Sequence, residues 1–358
     1  MRRFVLVIIL IFSFHTGFCQ FVTAYVDSRN YFYVFENGFP YQLETAPVLK
    51  YFATGNMVVY VNTANELRSW FNGEKTKLGE GLNATISSVG NMHFYTRDNA
   101  LIVLDKGNVI PLSYFLGDYK AGDNIIAFKD SRIDLLKVFY NGAIEELEYT
   151  LVNKLGTYDV GDNTVAYVNG SNYFKVFCEG ETFELSSWVP DKFACGKDLV
   201  AFIDGSTKEL DLFVKNKIIK LENFPPQSMQ MGDDIFAYVS DENAFKAFTN
   251  GKLLKLETFA PDFYQVKDNI LLFYFENKLQ VIQNGIRYEL ENFMPRNYQI
   301  SNNNLAYLDN SGRLKFFNEG KTTIVTTETI ESYELNGDVL KFYVQSNTPK
   351  VFWKNKIY

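Results

Sequence analysis

The chain has 358 residues and a net charge of −7, and 47% of its residues are hydrophobic and 22% charged. This balance is typical of a globular protein and excludes a wholly disordered chain. The lysines are dispersed without a basic run, so we expect no nucleic-acid partner. Aromatic residues make up 16% of the chain, which favours short aromatic-rich strands over helices.

The N-terminus has the layout of a secretory signal peptide. Arg2 and Arg3 precede an apolar run over residues 4–14, which is too short to span a bilayer because a span needs about 20 residues. We therefore predict a signal peptide over residues 1–19 and a mature chain over residues 20–358. The protein is then exported, and is periplasmic, outer-surface or secreted. No later segment is apolar enough for a membrane helix, so we expect no integral membrane span.

Cys19 raises the alternative of a lipoprotein anchored through an acylated cysteine. A lipobox has a small residue just before that cysteine, but this chain has Phe18 there. A lipoprotein also usually has a flexible tether, whereas residues 21–25 have the pattern of a strand. We therefore favour cleavage over acylation at this position.

A repeat of about 35 residues covers the mature chain, and it predicts a tandem array rather than separate domains. A turn, usually spelled Asn-Gly, recurs with its last residue at Gly38, Gly73, Gly107, Gly142, Gly180, Asn216, Gly251, Gly285, Gly320 and Asn355. An aromatic anchor recurs in the same phase at Tyr25, Tyr60, Tyr95, Phe128, Tyr167, Phe202, Tyr238, Phe273, Tyr307 and Phe342. One aromatic per unit at a fixed place is typical of packing between units, so we predict that this row is core.

Each unit reads as four short antiparallel strands. In one unit the strands follow Asp233, then span residues 245–248, 253–256 and 263–266, with the Asn-Gly hairpin between the second and the third. Short Gly-Asp or Asp/Asn turns are expected to lead from one unit into the next. Four strands in so few residues leave no room for a helix.

Tandem four-stranded antiparallel units resemble a β-propeller, in which each unit is one blade. The resemblance covers residues 21–358 and is architectural, because the Trp-Asp dipeptides of WD40 repeats and the sialidase Asp-box are missing. It implies an all-β fold of nine to ten blades in one ring or of two smaller rings in tandem. We favour one continuous array, because no linker rich in Pro, Gly or Ser interrupts the repeat.

Candidate catalytic residues are scarce. The mature chain has one histidine, His93, which excludes a multi-histidine metal site, and equivalent positions in other units are apolar. We therefore expect His93 to be a packed, hydrogen-bonded core residue. Cys178 and Cys195 are expected to be free thiols, because they would lie on the second and fourth strands of one blade, too far apart for a disulfide.

Acids and amides recur in the turn between the first and second strands of each unit. These residues are Asp27, Asn62, Asp130, Asn169, Asp204 and Asp309. They would share one rim of a ring, where they could attract Ca²⁺ or a cationic partner. No EF-hand spacing is present, and Asp and Asn are favoured in tight turns for their own hydrogen bonds, so we expect turn chemistry and no metal or other cofactor.

Four consecutive units share an aromatic residue three positions after an anchor leucine and a proline five positions after it. The pairs are Trp188 with Pro190, Phe224 with Pro226, Phe259 with Pro261 and Phe293 with Pro295. Equivalent loops of a ring emerge on one side, so these four side chains form a candidate ligand-binding surface, which we call the aromatic arc. The alternative is that each ring folds inward beneath its own loop, and solvent exposure distinguishes the two.

These features favour a non-enzymatic, exported β-propeller that is a monomer and acts as a binding or scaffold protein for a protein, peptide or glycan partner. The loops are short and the units nearly uniform, so no insertion builds a catalytic site. The alternatives are a propeller-fold carbohydrate-active enzyme that uses paired carboxylates and a purely structural envelope component.

Overall fold

A computed structural model describes residues 21–81, 84–105, 108–150, 157–345 and 348–358. In this part of the chain, 39 β-strands form ten antiparallel sheets that follow one another in sequence order, and no α-helix occurs. The described residues include no helix long and apolar enough to cross a membrane. The predicted signal peptide, residues 1–19, lies outside the described residues.

Blades 1 to 5 consist of these strands: β1 (Thr23–Val26), β2 (Phe32–Glu36), β3 (Phe39–Glu44); β4 (Lys50–Thr54), β5 (Met57–Val61), β6 (Glu66–Phe71), β7 (Glu74–Glu80); β8 (Thr85–Val89), β9 (Met92–Arg97), β10 (Ala100–Asp105), β11 (Asn108–Ser113); β12 (Leu116–Ala121), β13 (Ile125–Asp130), β14 (Leu135–Tyr140), β15 (Ala143–Tyr149); β16 (Tyr158–Val160), β17 (Thr164–Val168), β18 (Phe174–Cys178), β19 (Glu181–Ser186). Blades 6 to 10 consist of these strands: β20 (Lys192–Cys195), β21 (Leu199–Ile203), β22 (Leu210–Val214), β23 (Lys217–Glu222); β24 (Ser228–Met231), β25 (Ile235–Val239), β26 (Phe245–Thr249), β27 (Lys252–Glu257); β28 (Phe263–Lys267), β29 (Ile270–Phe275), β30 (Lys278–Gln283), β31 (Ile286–Glu291); β32 (Tyr298–Ser301), β33 (Asn304–Leu308), β34 (Leu314–Asn318), β35 (Lys321–Thr326); β36 (Ile330–Asn336), β37 (Val339–Val344), β38 (Thr348–Trp353), β39 (Lys356–Ile357).

The ten blades form a single ring around a central channel. Strands β4, β8, β28, β32 and β36, from blades on opposite sides of the ring, line one common cavity, so the first strand of a complete blade is the innermost. We call the four strands of a blade A to D from the inside outward. Blade 1 has strands B, C and D among the described residues, and blades 2 to 10 have all four. The single ring of ten is confirmed over the two-ring alternative.

The predicted phase of the unit was wrong by one strand. The strand over residues 263–266 was assigned to the end of one unit, but it pairs with β29 and is strand A of the following blade. The prediction that Cys178 and Cys195 lie on the second and fourth strands of one blade is therefore wrong. Cys178 lies on strand C of blade 5, and Cys195 lies on strand A of blade 6.

The turn between strands C and D is a tight hairpin in every blade where it is described. Both central residues have positive φ, as with Asn250 at 51° and Gly251 at 72°. That geometry defines a type I′ turn, which Asn-Gly adopts with little strain. Blade 6 builds the same turn from Lys215 and Asn216, with φ of 49° and 58°. The predicted hairpins are therefore confirmed for the described residues.

The core lies between neighbouring blades rather than within any one sheet. In one such layer Ala201 and Leu212 of blade 6 pack against Phe236 and Tyr238 of blade 7. The small residue at the centre of one strand B leaves room for the aromatic anchor of the next blade. Nine anchors are buried, from Tyr60 to Phe342, whereas Tyr25 is half-buried. Burial of each such ring contributes about 1.5–3 kcal/mol, so the predicted core role of this row is confirmed.

Four of the junctions between blades also contain a partly buried polar contact that the repeat pattern did not reveal. At the junction of blades 6 and 7, the hydroxyl of Tyr238 donates to Glu222 at 2.7 Å, and Lys246 pairs with the same carboxylate at 2.5 Å. The same set recurs with Tyr60, Glu44 and Arg68, with Tyr167, Glu148 and Lys175, and with Tyr307, Glu291 and Lys315. A phenylalanine replaces the tyrosine in blades 4, 6, 8 and 10.

In the part of the chain that the structure describes, blades 1 and 10 share no strand, and the ring closes between them through side chains. Asn336 donates to the carbonyl oxygen of Val22 at 2.6 Å, and the buried ammonium of Lys341 donates to that of Ala24 at 2.9 Å. Further out, the rings of Phe35 and Trp353 pack edge to face with centroids 6.2 Å apart. We call this junction the seam.

Candidate binding surface

The two ends of the ring carry different connections because every blade is antiparallel. The D-to-A loops and the B-to-C turns share one end, which we call the upper face. The A-to-B and C-to-D turns share the other end, which we call the lower face. The aromatic arc lies in the D-to-A loops of four consecutive junctions, from blades 5–6 to blades 8–9, so its members occupy the upper face as predicted.

Three rings of the aromatic arc project into solvent. Trp188 is 61% exposed, Phe224 60% and Phe259 62%. Phe293 differs, because its ring is half-buried. Met294 of the same loop packs against the core. The alternative in which all four rings fold inward does not describe this surface. What the arc binds stays a prediction.

The loop of Trp188 is held close to the body of the protein. Pro190 and Pro295 are buried, whereas Pro226 and Pro261 are half-buried. At Trp188 the chain is held further by its backbone N–H, which donates to the Ser186 hydroxyl at 3.1 Å. Gly205 completes the support, because a Cβ there would lie 2.0 Å from the carbonyl oxygen of Val189.

The exposed aromatic surface extends beyond the predicted arc. Tyr114 is 65% exposed in the loop between blades 3 and 4, beside Phe115, and Tyr149 is 62% exposed at the end of blade 4. The guanidinium of Arg132 stacks on the ring of Phe115 at 3.8 Å. Phe115 also lies three positions after its anchor Leu112, so the aromatic half of the motif was present. Phe115 lies outside the predicted motif because Gly117, not a proline, stands two residues later.

The acids and amides of the upper turns satisfy the backbone of their own turns. Asp309 accepts the N–H groups of Ser311 and Arg313 at 2.9 and 3.0 Å, and Asn169 accepts those of Ser171 and Tyr173. Asp27, Asp130 and Asp204 accept equivalent N–H groups. Arginines pair with three of these carboxylates, at Asp27, Asp130 and Asp309. The turn role is confirmed, and the described residues contain no group of three or more His, Cys, Asp or Glu that could hold a metal ion.

His93 is a core residue, as predicted. It is fully buried on β9, and its Nε2 lies 3.2 Å from the carbonyl oxygen of Thr54 in the neighbouring blade. Burial lowers the pKa of its imidazole to about 4, so the ring is neutral at physiological pH. A neutral, enclosed imidazole with a backbone partner is a structural group.

Cys178 and Cys195 are both free, as predicted, although the strand argument for it was wrong. They contribute to one core layer between blades 5 and 6. Burial raises the pKa of the Cys178 thiol to about 12 and that of Cys195 well above its usual value. Both therefore remain protonated thiols, which are poor nucleophiles.

Polar side chains on the inner strands hold neighbouring blades together. Gln299 donates to the carbonyl oxygen of Tyr333 at 2.9 Å and accepts the N–H of Leu335 at 2.8 Å, so its amide bridges blade 9 to blade 10 as a backbone group would. Gln230 bridges blade 7 to blade 8 in the same way. These residues border a channel that includes a cavity of about 840 Å³. The polar groups of this wall are mostly occupied by structural hydrogen bonds.

Four aspartates gather where the inner strands turn at the lower face, and we call them the carboxylate rim. They are Asp123, Asp162, Asp233 and Asp268. Burial and the neighbouring carboxylates raise the pKa of Asp123 to about 7 and that of Asp233 well above its usual value. Sequence reasoning missed this group because its members come from four different blades.

With this geometry, the chain belongs to a defined family: it is a member of the 10-bladed beta propeller domain family, whose profile matches residues 18–358. The comparison with curated proteins found no match.

Several solved structures are similar in fold at low identity. The computationally designed Ika8 protein is 14% identical, with 75% of this chain and 95% of that chain covered and a TM-score of 0.36. The CRINKLY WD40 ectodomain of the Arabidopsis thaliana receptor kinase ACR4 is 10% identical over 67% of this chain and 90% of that one, with a TM-score of 0.36. PorZ, a surface component of the type-IX secretion system of Porphyromonas gingivalis, is 12% identical over 87% of this chain and 51% of that one, with a TM-score of 0.34.

Proposed function

We propose that this chain is an exported, monomeric, non-enzymatic propeller that binds a partner through the aromatic arc on its upper face. The propeller fold suits a binding or scaffold role in general. The observation that carries the proposal is the outward orientation of three large rings, Trp188, Phe224 and Phe259, on equivalent loops of consecutive blades. Exposed apolar surface that recurs in this way is costly to keep in water and is typical of an interaction site.

The binding role is tested with a double variant, Trp188→Ala with Phe259→Ala, against a panel of peptides, proteins and glycans. A partner that uses the arc should bind the double variant about tenfold or more weakly, because aromatic anchors dominate interface energies. Phe39→Ala is the matched control, since Phe39 is 64% exposed on the outer strand β3, away from the arc. A panel in which no ligand distinguishes the double variant from this control would contradict the proposal.

Export is tested separately by expressing the full chain in a bacterium and fractionating the cells. The expected product starts at Gln20 and is found outside the cytoplasm. An uncleaved chain retained in the cytoplasm, or a product acylated at Cys19, would contradict this part of the proposal.

The enzyme alternative has one observation in its favour. Asp123 and Asp268 both border the channel cavity, and both have raised pKa values, which is a property of many catalytic acids. The rim carboxylates, however, pack among the A-to-B turns of neighbouring blades, and a Cβ at Gly90 would lie 2.0 Å from the Asp123 carboxyl. If Asp123→Asn abolished hydrolysis of a glycan without weakening its binding, the enzyme alternative would replace the binding function.

A further inference from the structure

The aromatic arc carries carboxylates that have no cationic partner. Asp241, Glu242, Asp262 and Glu276 are all exposed, and none forms an ion pair among the described residues. Asp191, by contrast, pairs with Lys208 at 2.8 Å. These four acids lie in the loops and turns of blades 7 and 8, which also carry Phe224 and Phe259.

The acids lie beside the rings rather than elsewhere on their blades. The side-chain amide of Gln227, in the loop of Phe224, donates to the carbonyl oxygen of Asp241 at 3.2 Å, so this loop touches the turn that contains Asp241 and Glu242. Asp262 belongs to the loop of Phe259 itself. Its N–H donates to the carbonyl oxygen of Tyr274 at 3.0 Å, which brings the loop to the turn that contains Glu276.

The charge of this surface is therefore negative. Within the described loops and turns of the arc, Arg296 is the one exposed cation without a carboxylate partner, and it lies at the far end, beside the half-buried Phe293. Lys192, the first residue of β20 after the Trp188 loop, is exposed and also forms no ion pair among the described residues, so four unpaired acids face two unpaired cations. Clustered charges of one sign attract and orient a ligand of the opposite sign. The rings supply apolar contact area between these charges.

The composition of the rings separates peptides from sugars. Two of the three exposed rings are phenylalanine, which offers an apolar face but no hydrogen-bonding edge, whereas tyrosine and tryptophan provide both. A neutral glycan would also leave the row of carboxylates without a counter-charge. A peptide can place apolar side chains on the rings and cationic ones on the carboxylates in alternation.

Resting on the binding function proposed above, we propose that the occupant of the aromatic arc is an extended segment of a partner protein that carries Lys or Arg side chains between apolar ones. The prolines of the arc hold its loops in place before binding, so little ordering of the surface opposes association. The ligand is recognised by the spacing of its charges along an extended chain, and its affinity falls as salt screens them.

The test measures binding of three peptides that repeat Lys-Pro-Leu, Gln-Pro-Leu or Glu-Pro-Leu. The variant Asp241→Lys with Glu242→Lys reverses the charge beside the arc and leaves its rings in place. The control, Glu179→Lys with Glu181→Lys, makes the same change in net charge at exposed positions on the lower end of blade 5. Lysine suits position 179, because Lys215 already occupies the equivalent turn position with φ of 49°.

The Lys-Pro-Leu peptide should bind most tightly, weaken about tenfold in the arc reversal and change less than about twofold in the control reversal. Equal binding of the Glu-Pro-Leu peptide, equal loss in both reversals or no binding of the Lys-Pro-Leu peptide would overturn the inference. A glycan that loses affinity in Trp188→Ala with Phe259→Ala but not in the arc reversal would overturn the inference and leave the binding function standing. If no ligand responds to the loss of the rings, the binding function fails as well.

Discussion

The inner wall of the channel and the aromatic arc use side chains in opposite ways. On the wall, Gln230 and Gln299 place both ends of their amides on the backbone of the next blade. On the arc, Trp188 and Phe224 extend into solvent. The wall therefore contributes to holding the ring together, and the arc is free to contact another molecule. In a ring of near-identical units, the polar interior of the channel is not automatically the functional site.

We expect the largest loss of stability from Gly161→Ala, which forces two turns of the inner wall apart. A Cβ at Gly161 would lie 1.8 Å from the carbonyl oxygen of Gly196 in the next blade, and backbone cannot move aside cheaply. We expect the free energy of unfolding, measured by denaturant titration, to fall by about 3 kcal/mol or more. Gly170→Ala is the control, because its nearest neighbour would be 3.5 Å away. A variant as stable as this control would contradict the close contact between the turns.

The carboxylate rim makes the stability of the inner wall depend on pH. The folded-state pKa of Asp123 is raised to about 7, so its contribution to stability is complete below about pH 4 and is lost as the pH rises through 7. Asp123→Asn cannot ionise, so it should match the wild type near pH 4 and be more stable by about 2–4 kcal/mol at pH 8. Denaturant titrations at both pH values measure this difference. A variant less stable than the wild type at pH 8 would show that the ionised carboxylate is tolerated.

We expect Lys341→Met to destabilise the protein at the seam. The lysine is buried and donates to the Ala24 carbonyl oxygen, to the Tyr51 hydroxyl and to Glu334, so its removal leaves the buried Ala24 acceptor without this donor. Glu334, its carboxylate partner, is partly exposed and regains water, which limits the loss to about 1–3 kcal/mol. Lys350→Met is the control, because Lys350 pairs with the exposed Glu328 and such pairs contribute less than about 1 kcal/mol. Equal losses in the two variants would contradict the role of Lys341 at the seam.

A substitution in the aromatic arc should have the smallest effect on the free energy of unfolding. Phe224→Ser removes a ring that is 60% exposed, so the free energy of unfolding should change by less than about 0.5 kcal/mol. The same titration applied to Phe236→Ser, which empties a fully buried position in the next blade, should lose about 3–5 kcal/mol. A loss above about 1.5 kcal/mol for Phe224→Ser would mean that the ring supports the fold, and the contrast between wall and arc would disappear.

The features that the sequence predicted correctly are local ones. The Asn-Gly hairpins and the buried aromatic row depend on residues within one unit, so a repeating pattern is enough to find them. The phase of the unit was also encoded locally but was misinterpreted. Gly161 and Asp162 join strands A and B through a short turn, which favours a hairpin, whereas the loop with Trp188 is longer and joins two blades.

Other features arise from contacts between distant segments, and no local sequence pattern predicts them. The carboxylate rim depends on the approach of four turns, and the position of the Trp188 loop depends on the close approach of Gly205 to the carbonyl oxygen of Val189. The motif located the arc, but only burial decides whether such a ring faces water. The charge around Phe224 and Phe259 likewise required the neighbouring turns to be placed beside the loops.

The seam has a mechanical consequence. Among the described residues every blade is one continuous stretch of chain, and the polar contacts between the first and last blades are all made by side chains. A force that pulls the two ends apart therefore loads this junction first, before any hydrogen-bonded strand pair has to break. The ring would open there into a curved row of intact blades, and the blades would then unfold one by one from the two ends.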